Sequence, residues 1–211
     1  FSVWGVYSSN LSTPEIRKIG AEWEPKLSTF FSELTLDDRW FQRVETLYNK
    51  RATLGLDAKQ MRLLERTYDN LVKNGAKLNP AEKAKVVAIE GELSTKFSDF
   101  SDKVLADEET YILLTDPKDV EGMPDSFVAS LKAAADEKGK TGWAVVNTRS
   151  AIQPFLENSP RRDLREKVWR AFTMRGDNGD ANDTNATIAE ILRLRQERAK
   201  LLGFKNHAEY R

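Results

Sequence analysis

The chain has 211 residues, and its 33 Lys and Arg balance its 33 Asp and Glu, so the formal net charge is zero. That length allows one substantial hydrophobic core. The absence of a basic excess argues against a nucleic-acid-binding protein. No apolar run approaches the roughly 20 residues of a membrane-spanning helix, so we expect neither nucleic acid nor membrane as a partner.

The chain also lacks the side chains from which several catalytic centres are built. Cysteine is absent, which excludes a disulfide framework, a Cys-ligated zinc site and a thiol nucleophile. The single histidine, His207, cannot form a two-histidine metal site, and a Ser-His-Asp triad would have to use it. We therefore predict no catalytic, cofactor-binding or metal-binding residue in this chain.

Helix signals dominate the first third of the chain. Residues 1–7 are apolar and suit the end of a helix that begins upstream. A hydroxyl cap, a proline and an acid at 12–15 predict the start of a helix, which Pro25 should kink or end. Asp38 opens the next helix, with an apolar face.

The next two helices have clear start and stop signals. Asp57 and Gln60 predict a capping box, and Gly75 predicts the end of the helix that follows it. The sequence Asn-Pro-Ala-Glu at 79–82 opens the longest predicted helix. Its apolar residues recur every three or four positions and predict a seam that packs on neighbouring helices: Val86, Ile89, Leu93, Phe97, Phe100 and Val104.

The period then changes to one typical of β-structure. Residues 110–115 and 142–147 suit two short strands, with a helix over 124–138 between them that Gly139 closes. The pattern predicts a small sheet but leaves the direction and pairing of the strands open.

The last third of the chain is predicted to be helical again. A short helix is expected over 150–156, a second opens at Ser159, and a polar loop follows at 175–183. Asp183 or Thr184 should cap the last long helix, over 188–202, and residues 204–211 begin a further element. The predicted fold is mainly α, a multi-helix body with long antiparallel helices and a small two-strand β element. Residues 1–211 are expected to form a single helical region, and the ends suggest a piece of a larger protein.

The loop at 175–183 is the first candidate site. It begins with Arg-Gly-Asp, a tripeptide associated with cell adhesion that also arises by chance. Its carboxylates suggest Ca²⁺, but neither Asp177 nor Asp180 as a first ligand places Gly at position six and Glu at position twelve of an EF-hand. We interpret the loop as a turn rich in Asn, Asp and Gly that also caps a helix.

The remaining candidates have ordinary explanations. His207 lacks the second histidine of a His-Glu-x-x-His zinc motif and is interpreted as a surface or interface residue. The adjacent acids at 37–38 and 108–109 are interpreted as solvated or helix-start residues. The basic run at 193–200 is interspersed with Glu, so ion pairs on an exposed helix face explain it.

Several segments together, in order along the chain, resemble the bacterial peptidyl-dipeptidases. These enzymes, also called dipeptidyl carboxypeptidases, belong to the thimet-oligopeptidase family of zinc peptidases. The resemblance is carried by Leu-Tyr-Asn-Lys-Arg at 47–51, Leu-Gly-Leu-Asp at 54–57, Arg-Leu-Leu-Glu-Arg-Thr-Tyr at 62–68, Gly-Ala-Lys-Leu at 75–78, Ala-Ile-Gln-Pro at 151–154, Arg-Gly-Asp-Asn-Gly-Asp-Ala-Asn-Asp at 175–183 and the segment 188–204.

The resemblance implies a largely helical parent enzyme in which two lobes enclose a channel for short peptides. In that family a His-Glu-x-x-His helix and a further glutamate hold zinc in the C-terminal part, and neither has a counterpart here. The chain would then be a non-catalytic N-terminal or middle portion that supplies channel wall. Zinc would belong to the parent, with none bound by this chain.

The partners implied by the resemblance are the missing C-terminal catalytic region and short peptide substrates. A cytoplasmic location is expected, with the periplasm as the alternative. The alternative function is a stand-alone helical protein-interaction module.

Overall fold

The structure, a computed structural model, describes residues 2–211, so Phe1 lies outside the described residues. This part of the chain has ten α-helices and two β-strands. In chain order they are α1 Ser2–Asn10, α2 Pro14–Thr35, α3 Asp38–Asn49, α4 Ala58–Lys73, α5 Pro80–Glu108, β1 Tyr111–Leu114, α6 Asp125–Glu137, β2 Trp143–Val146, α7 Arg149–Asn158, α8 Arg162–Thr173, α9 Asn185–Leu201 and α10 His207–Tyr210. Short 3₁₀ turns lie at Arg51–Thr53 and Pro117–Asp119. The predicted mainly α fold with a small two-strand element is confirmed.

The chain divides into two compact units. The terminal unit comprises Phe1–Asp99 with Thr187–Arg211, and the central unit comprises Phe100–Ala186. Helices α5 and α9 each contribute residues to both. The assignment of residues 1–211 to one region of a larger protein stays a prediction.

In the terminal unit, α2 begins where the sequence predicts. Thr13 caps it, because the Thr13 hydroxyl accepts a hydrogen bond from the Ile16 amide over 3.4 Å. The helix does not end at Pro25 but continues to Thr35. A proline removes one backbone donor, and the hydrogen bonds on either side are enough to carry the helix on.

Helix α4 has both predicted end signals. Asp57 Oδ1 accepts from the Gln60 amide over 2.9 Å, and Gln60 Oε1 accepts from the Asp57 amide over 3.1 Å, which completes the capping box. At the other end, Gly75 adopts a φ of 97°, and the Ala76 amide donates back to the Leu71 carbonyl over 2.9 Å. The helix therefore ends in a Schellman motif.

The core between α3 and α4 is built from residues of both helices and of the turn that follows α4. Its buried members are Phe41, Val44, Leu71 and Ala76. The rings of Tyr48 and Tyr68 stack beside it, with centroids 3.8 Å apart. Further buried residues come from the first half of α5 and from α9: Val86, Ile89, Leu93, Ile191, Leu194 and Ala199.

The central unit is built on an antiparallel hairpin. Strands β1 and β2 pair with Tyr111 opposite Val146 and Leu114 opposite Trp143, which answers the question that the sequence left open. Helix α6 connects the two strands. The hairpin and the helices α6, α7 and α8 enclose a second core: Leu114, Val120, Met123, Leu131, Val145, Ile152, Phe155 and Val168.

Two helices in this part of the chain start away from the predicted residue. Helix α8 begins at Arg162 because the Ser159 hydroxyl accepts from the Arg161 amide over 3.3 Å and forms a turn instead of a helix cap. Helix α9 begins at Asn185, whose amide donates to Asp183 Oδ1 over 2.9 Å. Asp183 is thus the residue that fixes this start, while Thr184 points inward.

None of the helices in residues 2–211 is both long enough and apolar enough to cross a membrane.

Candidate functional site

The polar loop encloses a buried carboxylate. Asp107, in the last turn of α5, is 4% exposed. Its Oδ2 accepts from the Gly176 amide over 2.7 Å and from Asn178 Nδ2 over 3.0 Å, and its Oδ1 accepts from Asn182 Nδ2 over 3.0 Å. We call residues 175–184 the Asp107 loop. Three donors from this loop compensate for the removal of the carboxylate from water.

The loop is also closed by its own hydrogen bonds. Thr184 donates to the Gly176 carbonyl through its amide and its hydroxyl, over 2.7 and 2.9 Å. Asp183 accepts from the amides of Asn185 and Gly179, and these bonds lower the pKa of the Asp183 carboxyl. The interpretation of the loop as a turn that caps a helix is confirmed.

This arrangement does not display Arg-Gly-Asp as an adhesion motif. Arg175 pairs with Glu108, and its guanidinium lies 4.3 Å from the centre of the Phe172 ring. Gly176 is buried, with its amide on Asp107. A receptor would have to break these contacts to bind the tripeptide in an extended form.

The loop carboxylates likewise accept hydrogen bonds from neighbouring residues. Asp177 Oδ1 accepts from Asn185 Nδ2 over 2.6 Å, and Asp180 Oδ1 accepts from the Asn182 amide over 2.8 Å. Over residues 2–211, no group of three or more His, Cys, Asp or Glu side chains is placed to hold a metal ion. The described residues therefore do not fit the zinc that the family resemblance implies.

Asn147 connects the end of α5 that carries Asp107 to helix α8. It lies directly after β2 and is 3% exposed. Its Nδ2 donates to the backbone carbonyls of Asp107 and Ala171, over 3.0 Å in each case. One buried amide thus ties the end of α5 to the last turns of α8.

A groove lies beside this framework, between α7 and α8. It has a volume of about 550 Å³ and is lined by Arg149, Ile152, Gln153, Leu156, Glu157, Trp169, Phe172 and Thr173. A second hollow of about 430 Å³ adjoins it at Leu156 and Trp169, and its other lining residues are Arg162, Arg165 and Glu166. We call the two together the α7–α8 groove. Volumes of this size are typical of sites for small ligands or side chains.

Comparison with known proteins shows which family this chain is similar to. Residues 155–211, which include α8, the Asp107 loop and α9, match the model of Peptidase family M3. The dipeptidyl carboxypeptidase of Escherichia coli K12 is 30% identical over 212 residues, which cover 100% of this chain and 31% of that protein. The chain is similar to the M3 peptidases.

Two further proteins are similar to nearly the whole of this chain. The dipeptidyl carboxypeptidase of Salmonella typhimurium LT2 is 27% identical over 212 residues, with 100% of this chain and 31% of that protein covered. A probable cytosolic oligopeptidase A of Arabidopsis thaliana is 32% identical over 218 residues, with 98% of this chain and 31% of that protein covered. The chain thus spans about a third of the length of these M3 relatives, and the resemblance noted in the sequence is confirmed.

The surroundings of the other two candidates, His207 and the basic run, are as follows. His207 is half-buried, and burial followed by the nearby Arg195, Arg198 and Arg211 lowers the pKa of its imidazole. In the basic run, Arg193 pairs with Glu190 and Glu197 over 3.0 and 2.9 Å, which confirms the ion-pair interpretation.

The adjacent acids are not paired with each other for acid–base chemistry. Asp37 caps α3 by accepting from the amides of Arg39 and Trp40, over 2.8 and 3.0 Å. Asp38 pairs with Lys83, and Glu108 pairs with Arg175.

Sequence reasoning missed two residues. Asp107 carried a usable signal, because an acid in the last turn of a helix faces the negative end of the helix dipole and needs a specific partner. The buried stripe of α8 includes Val168, and Trp169, which directly follows it, is 50% exposed. A large aromatic side chain outside the buried stripe is the signal that could have drawn attention to the groove.

Proposed function

We propose that this chain is a helical, non-catalytic portion of a zinc peptidase that releases C-terminal dipeptides from short peptides, and that it supplies wall of the substrate channel. The observation that carries the proposal is similarity over the whole chain to two dipeptidyl carboxypeptidases, at 30% and 27% identity. The chain aligns with 31% of each, which leaves most of each relative's length for other parts.

Residue counts support the assignment of the chemistry to another part of the protein. The sequence has one histidine and no cysteine, so it cannot supply a zinc site with two histidines. We propose that zinc, and the glutamate that acts as base, lie outside these 211 residues. The partners of this chain are then the catalytic region of the same protein and short peptides, and the proposed location is cytoplasmic.

The residues of this chain would provide a rigid wall with an apolar recess. Asp107 and Asn147 fix the ends of α5 and α8 and hold the Asp107 loop in place. Helices α7 and α8 then present Leu156 and Trp169 along the α7–α8 groove. A wall of this kind lowers the entropic cost of binding because its side chains are already in position.

The proposal is tested on the complete coding sequence that contains these residues. We expect it to encode His-Glu-x-x-His, and we expect the full-length protein to release a dipeptide from an N-blocked tripeptide. Chelation should remove this activity and added zinc should restore it. Failure of the full-length protein to release dipeptides would refute the peptidase proposal. Zinc-dependent turnover by residues 1–211 alone would refute the non-catalytic role.

One observation favours the alternative, a stand-alone helical interaction module. Along one side of α2, the side chains of Ile19, Trp23, Phe30 and Leu34 are about half exposed, between 48% and 57%. Exposed apolar side chains in such a row are typical of protein-binding surfaces. A coding sequence that stops at Arg211, together with a protein that lacks zinc, would favour this module.

A further inference from the structure

We infer that the α7–α8 groove is a subsite for peptide segments in which an aromatic or large aliphatic side chain stands next to acidic ones. The inference deepens the proposed function and rests on it, since the peptide would be a substrate of the peptidase. The groove lies within the central unit, so all the residues that carry the inference belong to one compact body.

The apolar part of the recognition comes from three side chains. Trp169 is 50% exposed although it lies against two hollows, and Leu156 lines both of them. Phe172 lines the larger hollow at its side. A partly covered indole beside a cavity of about 550 Å³ gains contact area when an apolar side chain fills that cavity. Tryptophan is also among the residues that most often dominate binding energy.

The charged part comes from arginines at the edges of the groove. Arg149 lies at the larger hollow, and Arg162 and Arg165 lie at the smaller one. Arg165 donates to the Ser159 carbonyl, a contact that leaves its positive charge uncompensated. Within the described residues, no carboxylate pairs with Arg149 or Arg162.

The acids that line the groove offset this charge only in part. Glu166 accepts from Arg170 over 2.8 Å, so it is already paired. Glu157 Oε1 accepts from Gln153 Nε2 over 3.0 Å and keeps its negative charge. Three arginines therefore face one unpaired carboxylate, and the groove attracts anions. Arginine also binds peptide carboxylates through two parallel hydrogen bonds, which adds geometric selectivity.

The length of the groove fits a short peptide. Helices α7 and α8 have 10 and 12 residues, which gives them a length of roughly 15 to 18 Å at the rise of an α-helix. An extended peptide covers about 3.3 Å per residue, so about five residues lie along the groove. A folded protein partner would need a larger surface than this.

The test measures the binding of three labelled pentapeptides to the 211-residue chain by fluorescence anisotropy. The peptides are acetyl-Gly-Glu-Phe-Glu-Gly, the same peptide with both Glu replaced by Lys, and the same peptide with Phe replaced by Ser. We expect the first to bind at least tenfold more tightly than either of the others. Its affinity should fall as salt increases, because arginines contribute to the binding.

Matched variants locate the binding. Trp169→Ala should lower the affinity for the first peptide at least tenfold. Trp169→Phe should keep most of that affinity. Arg162→Glu should weaken binding of the acidic peptide and strengthen binding of the lysine peptide. Trp23→Ala is the control, because Trp23 is 51% exposed in the terminal unit and should leave peptide binding unchanged. Circular dichroism and thermal unfolding establish that each variant is folded.

Three outcomes would overturn the inference. The first is equal or undetectable binding of all three peptides. The second is an equal loss of affinity in Trp23→Ala and Trp169→Ala. The third is sedimentation showing that Trp169 mediates association of two copies of the chain. None of these outcomes refutes the peptidase proposal. That proposal is tested separately, by dipeptide release from an N-blocked tripeptide without acidic residues.

Discussion

Asp107 occupies a position that is unfavourable for a lone carboxylate. It is buried in the last turn of α5, where the partial charge of the helix is also negative. The three donors of the Asp107 loop compensate for both effects, and two of them come from Asn side chains. The need to solvate one buried charge therefore explains the donors that the loop supplies at Gly176, Asn178 and Asn182.

Removal of this carboxylate should destabilise the central unit. In Asp107→Ala, the amide of Gly176 and the side-chain amides of Asn178 and Asn182 lose their acceptor, and we expect a loss of about 2–4 kcal/mol in the free energy of unfolding. Urea denaturation followed by circular dichroism measures it. Asp102→Ala on the exposed side of the same helix is the control, and an equal effect of the two substitutions would contradict the role of Asp107.

A second residue gives a prediction for pH dependence. The Arg161 side chain, hydrogen-bonded to Asp163, lowers the pKa of Asp163 from its ordinary 3.8 to about 2. Because the folded-state pKa is the lower one, the stability that Asp163 contributes is fully present above the unfolded pKa and is lost as the pH falls towards about 2. The Asp163→Asn variant should be less stable than the parent at pH 7, and the difference should shrink below about pH 4.

This difference is measured by thermal unfolding of both proteins at a series of pH values. Asp163 is exposed, so the effect is expected to be small and to weaken as salt is added. A difference that grows towards low pH would contradict the assigned ion pair.

At the scale of helices, the sequence predicted what is determined locally. The capping box of α4 and its closing glycine depend on residues within a few positions of each other, and both were predicted. Asp107, which accepts the hydrogen bonds from the Asp107 loop, was not predicted. It stands 69 residues before Gly176 and 75 residues before Asn182. Contacts over such distances depend on how the helices pack, which no local pattern specifies. Of the two effects predicted for Pro25, a kink or an end, the end does not occur, because α2 continues to Thr35.

The end of α4 gives a prediction in which packing and backbone effects can be separated. Gly75 has a φ of 97°, and a Cβ there would lie 2.8 Å from Leu78 Cδ1 and 2.9 Å from Leu202 Cδ2. Gly203 ends α9 with a φ of 85°, and nothing lies within 4 Å of a Cβ at that position. Gly75→Ala should therefore cost more stability than Gly203→Ala, which carries only the backbone penalty of about 1–2 kcal/mol.

Chemical denaturation of the two alanine variants makes this comparison. The extra loss in Gly75→Ala is expected to be about 1–3 kcal/mol, the usual cost of overpacking. Equal losses in the two variants would show that Leu78 and Leu202 move aside freely.

At the scale of the whole molecule, the family resemblance was recognised from the order of several segments and not from any single site. Each segment that resembles the peptidyl-dipeptidases is short and, taken alone, could arise by chance, but they occur in sequence over nearly the whole chain. The α7–α8 groove was harder to predict from the sequence than the family resemblance, because a groove depends on the side chains that two helices leave uncovered. The exposure of Trp169 depends on how α7 packs beside α8, which no local pattern of the sequence specifies.

The apolar side of α2 gives the last prediction. Trp23 and Phe30 are 51% and 57% exposed, and they lie on the same helix face as Ile19 and Leu34. The chain has no net charge that would keep copies apart. We therefore expect the isolated 211-residue chain to associate as its concentration rises. Sedimentation velocity should show a larger average mass at high concentration, and high salt should not reverse this, because burial of apolar surface drives it.

Replacement of Trp23 and Phe30 by Ser should keep the chain monomeric over the same range. The matched control is Trp40→Ser, since Trp40 is 47% exposed on α3 and lies outside this face. Association that persists in the double variant but disappears in Trp40→Ser would assign the contact to α3. A parent chain that stays monomeric at all concentrations would show that the apolar side of α2 remains in contact with water at little cost, as scattered apolar side chains do on many proteins.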